Sequence, residues 1–325
     1  VIHPPHSSWS SPKSVGSGAF VVVGCMNFGG RTPEPESRAI IDRALERGLR
    51  HFDTANAYGN GKSERIVGRA LAQAPDALIA TKVGLLPLRG KAEGLTPRRV
   101  LSAVTESAER LGRESVDLLY LHAPDRSTPI EETLGAVAEL LAAGRVKAFG
   151  VSNYAAWEIL EIFQLCDARA MPRPRISQVL LNLAIRQIEV EYLRFAAKYK
   201  LHTTVYNPLA GGLFARPLKL DAPPPPGSRF AAQARYRERY WSERLFGFAD
   251  ACRAVAVGAH LTLAELAYGW LAQHPGVDSI LAGPATVVHL DAAIDGCART
   301  LAPELLVRVR ELQRAFDGTD ASYAR

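Results

Sequence analysis

The chain lacks paired cysteine. Its four, Cys25, Cys166, Cys252 and Cys297, stand far apart, with no CxxC and no metal-ligand spacing. That excludes a zinc ribbon or dithiol redox motif and leaves reduced, buried thiols as the expectation. Long apolar runs are absent too: none approaches the roughly 18 residues of a membrane span, so no membrane association is expected. The opening VIHPPHSSWSSPKS has no basic region followed by an apolar core, so it reads as a flexible arm over residues 1–18 rather than a secretory signal. No GxGxxG follows a strand, which argues against a doubly wound dinucleotide fold, and no nucleophile elbow is present, which argues against acyl transfer. There is no repeat of fixed period. The formal charge of +6 comes from 39 Lys and Arg spread among 33 Asp and Glu. Without a basic block or zinc-finger spacing, that excess reads as a solvated surface and not as a nucleic-acid site.

What is present is alternation. Short apolar, β-branched segments recur between stretches with helical periodicity. They are Ala19–Gly24, His51–Thr54, Ala77–Val83, Val116–His122, Val146–Ser152, Ile176–Leu181, His202–Tyr206 and Val277–Ala282. The intervening helices show start and stop signals such as Thr96-Pro97 and Gly112. Ser63 is a candidate cap of the helix after the second strand, and Gly48 ends the first. Eight such units in 325 residues predict an α/β fold, a (β/α)8 TIM barrel occupying residues 19–325 as a single domain. Between Asn207 and Asp250 the pattern fails around a tetraproline, which predicts a long loop insertion after strand seven; helices close the chain.

Barrel enzymes place their chemistry at the C-terminal strand ends. Asp53, Tyr58, Lys82 and His122 fall there. A phenol is a weak acid at neutral pH. An ammonium beside it stabilises the phenolate, a carboxylate can hold that ammonium, and an imidazole can orient a carbonyl oxygen. The set suits a carbonyl receiving hydride at carbon and a proton at oxygen. It does not suit a metal, for which Lys is no ligand, so no metal is expected.

The segments HFDTANAYGNGKSE, ATKVG, VDLLYLHAPD, GRVKAFGVSNYAAWE, ISQVLLNLAIRQIE and VYNPLAGGLF resemble the aldo-keto reductase family over almost the whole chain. HAPDRSTPIEETL, YNPLAGGLF and YRERYW are most similar to its aflatoxin-aldehyde and succinic-semialdehyde reductase branch. The resemblance implies a cytoplasmic enzyme, monomer or homodimer, with NADPH as cofactor and NADH as the alternative, reducing a small aldehyde or ketone. It implies Tyr58 as general acid, Lys82 as the partner that lowers its pKa, Asp53 behind Lys82, and His122 as carbonyl donor. Ser152, Asn153 and Gln178 would meet the nicotinamide amide and Tyr206 its ring. Met26, Asp53, Asn207, Leu209, Gly211 and Gly283 would line the rest of the cofactor's path. Around the adenosine 2′-phosphate the family places hydroxyl, basic and acid-amide residues. Here the segment is AGPATVVHLDAAI, with Thr286 and His289 as its donors and Ala292-Ala293 in place of the acid-amide pair. Weak cofactor affinity, relaxed cofactor choice, or a phosphate grip from other arginines are the readings that departure leaves open. Phe28 and Trp157 are expected as apolar substrate walls. Arg237 or Arg239, with Arg325, are expected to face an anionic substrate group. A non-enzymatic relative of channel β-subunits and a biosynthetic tailoring ketoreductase are the alternative functions.

Overall fold

The computed structural model describes residues 19–88 and 90–318. Eight strands close into a parallel barrel in the order β1, β8, β7, β6, β5, β4, β3, β2. They are β1 (Phe20–Gly24), β2 (His51–Asp53), β3 (Leu78–Val83), β4 (Leu118–Leu121), β5 (Phe149–Ser152), β6 (Ile176–Leu180), β7 (His202–Tyr206) and β8 (Ser279–Ala282). Closure is made by β1 on β8, with Val23 opposite Ala282. The crossovers are α1 (Glu34–Glu46), α2 (Lys62–Ala70), α3 (Pro97–Leu111), α4 (Ile130–Ala142), α5 (Ala156–Ala168) and α6 (Tyr192–Tyr199). Each presents an apolar stripe to the sheet, as Val100, Ala103, Val104 and Leu111 do on α3. Gly68 on α2 permits a close crossing, because a Cβ there would meet the Leu111 carbonyl oxygen at 2.4 Å.

Side chains alternate across each strand, so one set fills the barrel and the other meets the helices. Val22, Ala80, Leu118, Tyr120 and Ile176 form an apolar cluster of their own inside the barrel. Lys82 shares the parity of Ala80, and Gln178 that of Ile176. Both therefore point inward, one layer nearer the C-terminal mouth.

Two local expectations change. α2 begins at Lys62 after Gly61, and Ser63 does not cap it. Instead Ser63 Oγ donates to the Cys25 carbonyl and pairs with Thr54 Oγ1 at 2.8 Å, tying the β1 and β2 loops together. The insertion is also more ordered than its composition suggests. It holds α7 (Arg229–Ala232) and α8 (Ala234–Tyr240), and α9 (Glu243–Gly258) begins within it. Aromatic residues explain the order: Phe230, Tyr236, Tyr240 and Phe246 are all buried. A small hairpin pairs Pro87–Leu88 with Lys91–Ala92 beyond β3. α10 (Leu263–Ala272), α11 (Val287–Ala298) and α12 (Pro303–Asp317) complete the described chain.

At the opposite, N-terminal mouth, the Phe20 ring sits between His51 at 4.9 Å and His202 at 5.6 Å. Burial pushes the His202 pKa from 6.5 down to about 4, opposed by the Asp278 charge and assisted by His51. A depressed folded-state pKa means the unfolded chain binds the extra proton first. The stabilisation is therefore complete above pH 6.5 and lost as the pH falls toward 4. Thermal melting should decline across that window, His202 accounting for about 3 kcal/mol at most. His202→Asn should reduce the slope; an unchanged slope would remove His202 from the acid response.

Candidate active site

At the C-terminal mouth the ends of β2, β3 and β4 converge. Asp53 is the last residue of β2, Lys82 lies in β3 and His122 follows β4. Lys82 is fully buried. Its ammonium has three N–H donors, and each has a defined acceptor. One goes to Asp53 Oδ1, one to the Thr54 carbonyl at 2.8 Å, and one to Tyr58 Oη at 3.3 Å. The other Asp53 oxygen accepts from Gln178 Nε2 at 2.9 Å. The buried charge pair is thus fully hydrogen-bonded, the condition under which such a pair is tolerated.

The electrostatics follow from burial and this pairing. Burial disfavours the Lys82 ammonium, but Asp53 and Tyr58 outweigh it and hold the pKa above the ordinary lysine value. Burial raises the Tyr58 pKa; Lys82 pulls it back without reversing the net direction. His122 is pushed well below the ordinary imidazole value by burial, then by Lys82 and Arg235. It is neutral at neutral pH and retains one N–H to donate. Its ring meets Tyr58 edge-on at 5.8 Å.

These groups open into a cavity of about 1060 Å³. Among the expected cofactor contacts, Met26, Asp53, Ser152, Asn153, Gln178 and Tyr206 line it, as do Asn207, Leu209, Gly211, Gly283 and His289. Asn153 Nδ2 donates to Ser152 Oγ and to the His122 carbonyl, both at 3.0 Å, and its Oδ1 accepts from Tyr206 Oη at 2.7 Å. After β7 the chain turns sharply. Asn207 adopts φ 63° and Gly211 φ 72°. A Cβ on Gly211 would meet the Tyr236 ring at 2.8 Å, so this position requires glycine twice over.

Four expected contacts lie elsewhere. Phe28 is 0% exposed and packs with Ile40, Ile66 and Leu290, so it anchors the β1 loop and does not wall the cavity. Trp157 is 63% exposed on the outer face of α5, whose opposite face buries Ile159, Ile162 and Phe163. Thr286 caps α11, accepting from the His289 amide at 3.3 Å, and is not among the lining residues. Arg237 points away from the cavity, which Arg235 and Arg239 line. Those two are four apart on α8 and share a face, while Arg237 is on the other side. Arg325 lies outside the described residues.

Other participants were not anticipated. Tyr240 Oη accepts from Asn207 Nδ2 at 2.6 Å and Asn182 Nδ2 at 3.3 Å, locking the insertion onto the ends of β6 and β7. Tyr240 and Tyr236 have the same i, i+4 spacing, the one signal in the sequence. Glu93, beyond the hairpin, accepts from Asn56 Nδ2 at 2.8 Å and the Gly84 amide at 2.7 Å, and pairs with Arg99. It braces the loop carrying Tyr58, and nothing in its surroundings in sequence marks it.

The fold and this mouth together define a barrel oxidoreductase that acts on carbonyl compounds. The chain belongs to the aldo/keto reductase family, whose model matches residues 21–314. Human aflatoxin B1 aldehyde reductase member 4 is 34% identical over 284 residues, spanning 83% of this chain and 86% of that protein. Human aflatoxin B1 aldehyde reductase member 2 is 35% identical over 288 residues, spanning 83% and 79%. The structure of a glycerol dehydrogenase from Gluconobacter oxydans superposes with a TM-score of 0.77 at 27% identity, covering 94% of each chain. The family works with nicotinamide cofactors on small-molecule substrates. No single helix among the described residues is long and apolar enough to cross a membrane.

Proposed function

We propose that this enzyme reduces an aldehyde or ketone bearing an anionic group, with NADPH as reductant and Tyr58 as the proton donor. The observation that supports the Tyr58 role is the commitment of all three Lys82 donors. One of them points at Tyr58 Oη. The phenol oxygen accepts from Lys82, so its own proton remains available to the cavity.

The lining fits a nicotinamide dinucleotide. The cavity, at about 1060 Å³, is large for a drug-sized ligand. Ser152, Asn153 and Gln178 cluster polar groups at one side of its floor, and Gly24 and Gly283 keep the backbone bare. When bound, the nicotinamide supplies hydride to the carbonyl carbon. The protein's part is the oxygen. His122, neutral, donates a hydrogen bond that orients it. Tyr58 delivers the proton as charge builds there. The phenolate left behind is stabilised by Lys82, whose own charge Asp53 holds in place. Lys82 and Asp53 are buried and held in place beforehand, which makes that stabilisation larger than it would be in water.

Arg235 and Arg239 support the anionic substrate. They are adjacent on one face of α8 and line the cavity. The Arg235 charge reaches His122, and those of Arg239 and Arg235 reach Tyr206, which supports an anion bound beside them. Arg239→Gln should lower the preference in kcat/KM for succinic semialdehyde over 4-nitrobenzaldehyde by about 10- to 100-fold, the worth of a charged hydrogen bond. A preference that does not move would remove the anionic requirement.

A further inference from the structure

Tyr58 Oη lies 3.3 Å from Lys82 Nζ, at the long end of the range for an N–H···O hydrogen bond. A shift of the Tyr58 loop by about half an ångström would take it out of reach. The other Lys82 contacts do not prevent such a shift, because Asp53 and the Thr54 carbonyl hold the ammonium whether or not the phenol is near. The spacing must be set from elsewhere. Within residues 55–61, Tyr58 aside, Asn56 has the one hydrogen-bonded side chain among the described residues.

Asn56 opens a chain of charges that runs along α3. The Glu93 side chain is fully buried. One of its oxygens accepts from Asn56 Nδ2 at 2.8 Å and from the Gly84 and Leu86 amides at 2.7 and 3.3 Å. The other accepts from Arg99 Nε at 2.6 Å. Arg99 also donates to both Glu106 oxygens, at 2.6 and 3.0 Å, and Glu106 lies 3.8 Å from Arg110. Arg110 Nε donates to Glu64 on α2 at 2.6 Å. Glu64, itself buried, takes its other hydrogen bond from Thr81 Oγ1 at 2.6 Å. Arg99, Glu106 and Arg110 share one face of α3. The alternation of sign lets carboxylates as enclosed as Glu93 and Glu64 stay charged.

Both ends of the chain make the same kind of tie. Asn56 precedes Tyr58 and Glu64 follows it; Thr81 precedes Lys82 and Gly84 follows it. Glu93 therefore joins the near end of the Tyr58 loop to the segment carrying Lys82, and Glu64 joins the far end to the same segment. Arg110 also packs under the turn at Gly61, where a Cβ would meet its Cδ at 2.6 Å. Burial apart, the groups that act on Tyr58 directly are Lys82, Asp53 and Tyr236, with the His122 ring edge-on. The charges of the chain are not among them, and none of its members lines the cavity. Their influence on the phenol is through position.

We infer that Asn56 and Glu93, backed by Arg99, Glu106, Arg110 and Glu64, are positioning residues for the reaction, holding the Tyr58 phenol within reach of the Lys82 ammonium. This rests on the reading of Tyr58 as the proton donor.

Asn56→Ala, made in the wild type and in Tyr58→Phe, tests this through reduction of 4-nitrobenzaldehyde by NADPH. Glu93 keeps both amides and Arg99, so the variant should fold. In the wild type it should lower kcat about 10- to 100-fold, the scale of a misplacement near 1 Å, and leave KM little changed. The alkaline limb of kcat should move to higher pH, because the ammonium that pulls the phenol pKa down is then farther away. In Tyr58→Phe the same substitution should change the residual rate by less than about twofold. Thr81→Val, matched in shape, opens the tie at Glu64 and should act in the same direction; it decides the matter should Asn56→Ala not fold. Unchanged kcat, or an equal loss with and without the phenol, would overturn the positioning role. Reduction at the wild-type rate by Tyr58→Phe alone would instead overturn the proton-donor reading beneath it.

Discussion

Lys82→Met should cost about 3–5 kcal/mol of stability and abolish carbonyl reduction together. Lys82 is fully buried and satisfies Asp53, the Thr54 carbonyl and Tyr58 at once. Removing the ammonium leaves a buried carboxylate whose remaining partner is Gln178. Burial already raises the Asp53 pKa, so in the variant the carboxyl should take up a proton more readily. Denaturant unfolding should consequently show a larger loss at alkaline than at mildly acidic pH. Adding Asp53→Asn should recover part of the stability, because the uncompensated charge is gone, and none of the activity. Recovery of activity in the double variant would mean that the ion pair holds the fold and does not tune Tyr58.

Tyr58→Phe should lower kcat for 4-nitrobenzaldehyde by about 10²- to 10⁴-fold, the range for a lost general acid. Cofactor affinity should change little. Among the described residues the phenol donates no hydrogen bond, and Lys82 keeps two of its three partners. The fold should therefore tolerate the change far better than it tolerates Lys82→Met. The two variants distinguish a proton donor from the group that sustains it. One loses rate alone; the other loses rate and stability.

The barrel was legible because each strand is a short β-branched run bounded by helical stretches with recognisable ends. The four polar residues that meet at the mouth were legible for a related reason. Once the strands are counted, a polar residue at a strand's carboxyl end must lie at the mouth. Asp53 and Lys82 are 29 residues apart, and the parallel register alone brings them together. Contacts that depend on which way a helix or loop faces were not legible. Trp157 reads as a pocket wall in the sequence, but α5 buries its opposite face. Arg235, Arg237 and Arg239 alternate in sequence, and only the seating of α8 puts Arg235 and Arg239 on the cavity side. Arg31 stood in an unremarkable glycine-rich loop. Only the closure of β1 on β8 and the folding back of the insertion bring it to the cavity that Arg216, Arg229 and His289 also line.

The most direct test of the central claim is single-turnover oxidation of bound NADPH after mixing with 4-nitrobenzaldehyde. It is followed by nicotinamide absorbance in ordinary and heavy water, for the wild type and Tyr58→Phe. The wild type should oxidise its cofactor in one rapid phase that slows in heavy water, since an exchangeable phenolic proton moves as hydride arrives. Tyr58→Phe should bind NADPH and lack that phase. A rapid phase of wild-type rate in Tyr58→Phe would contradict the account.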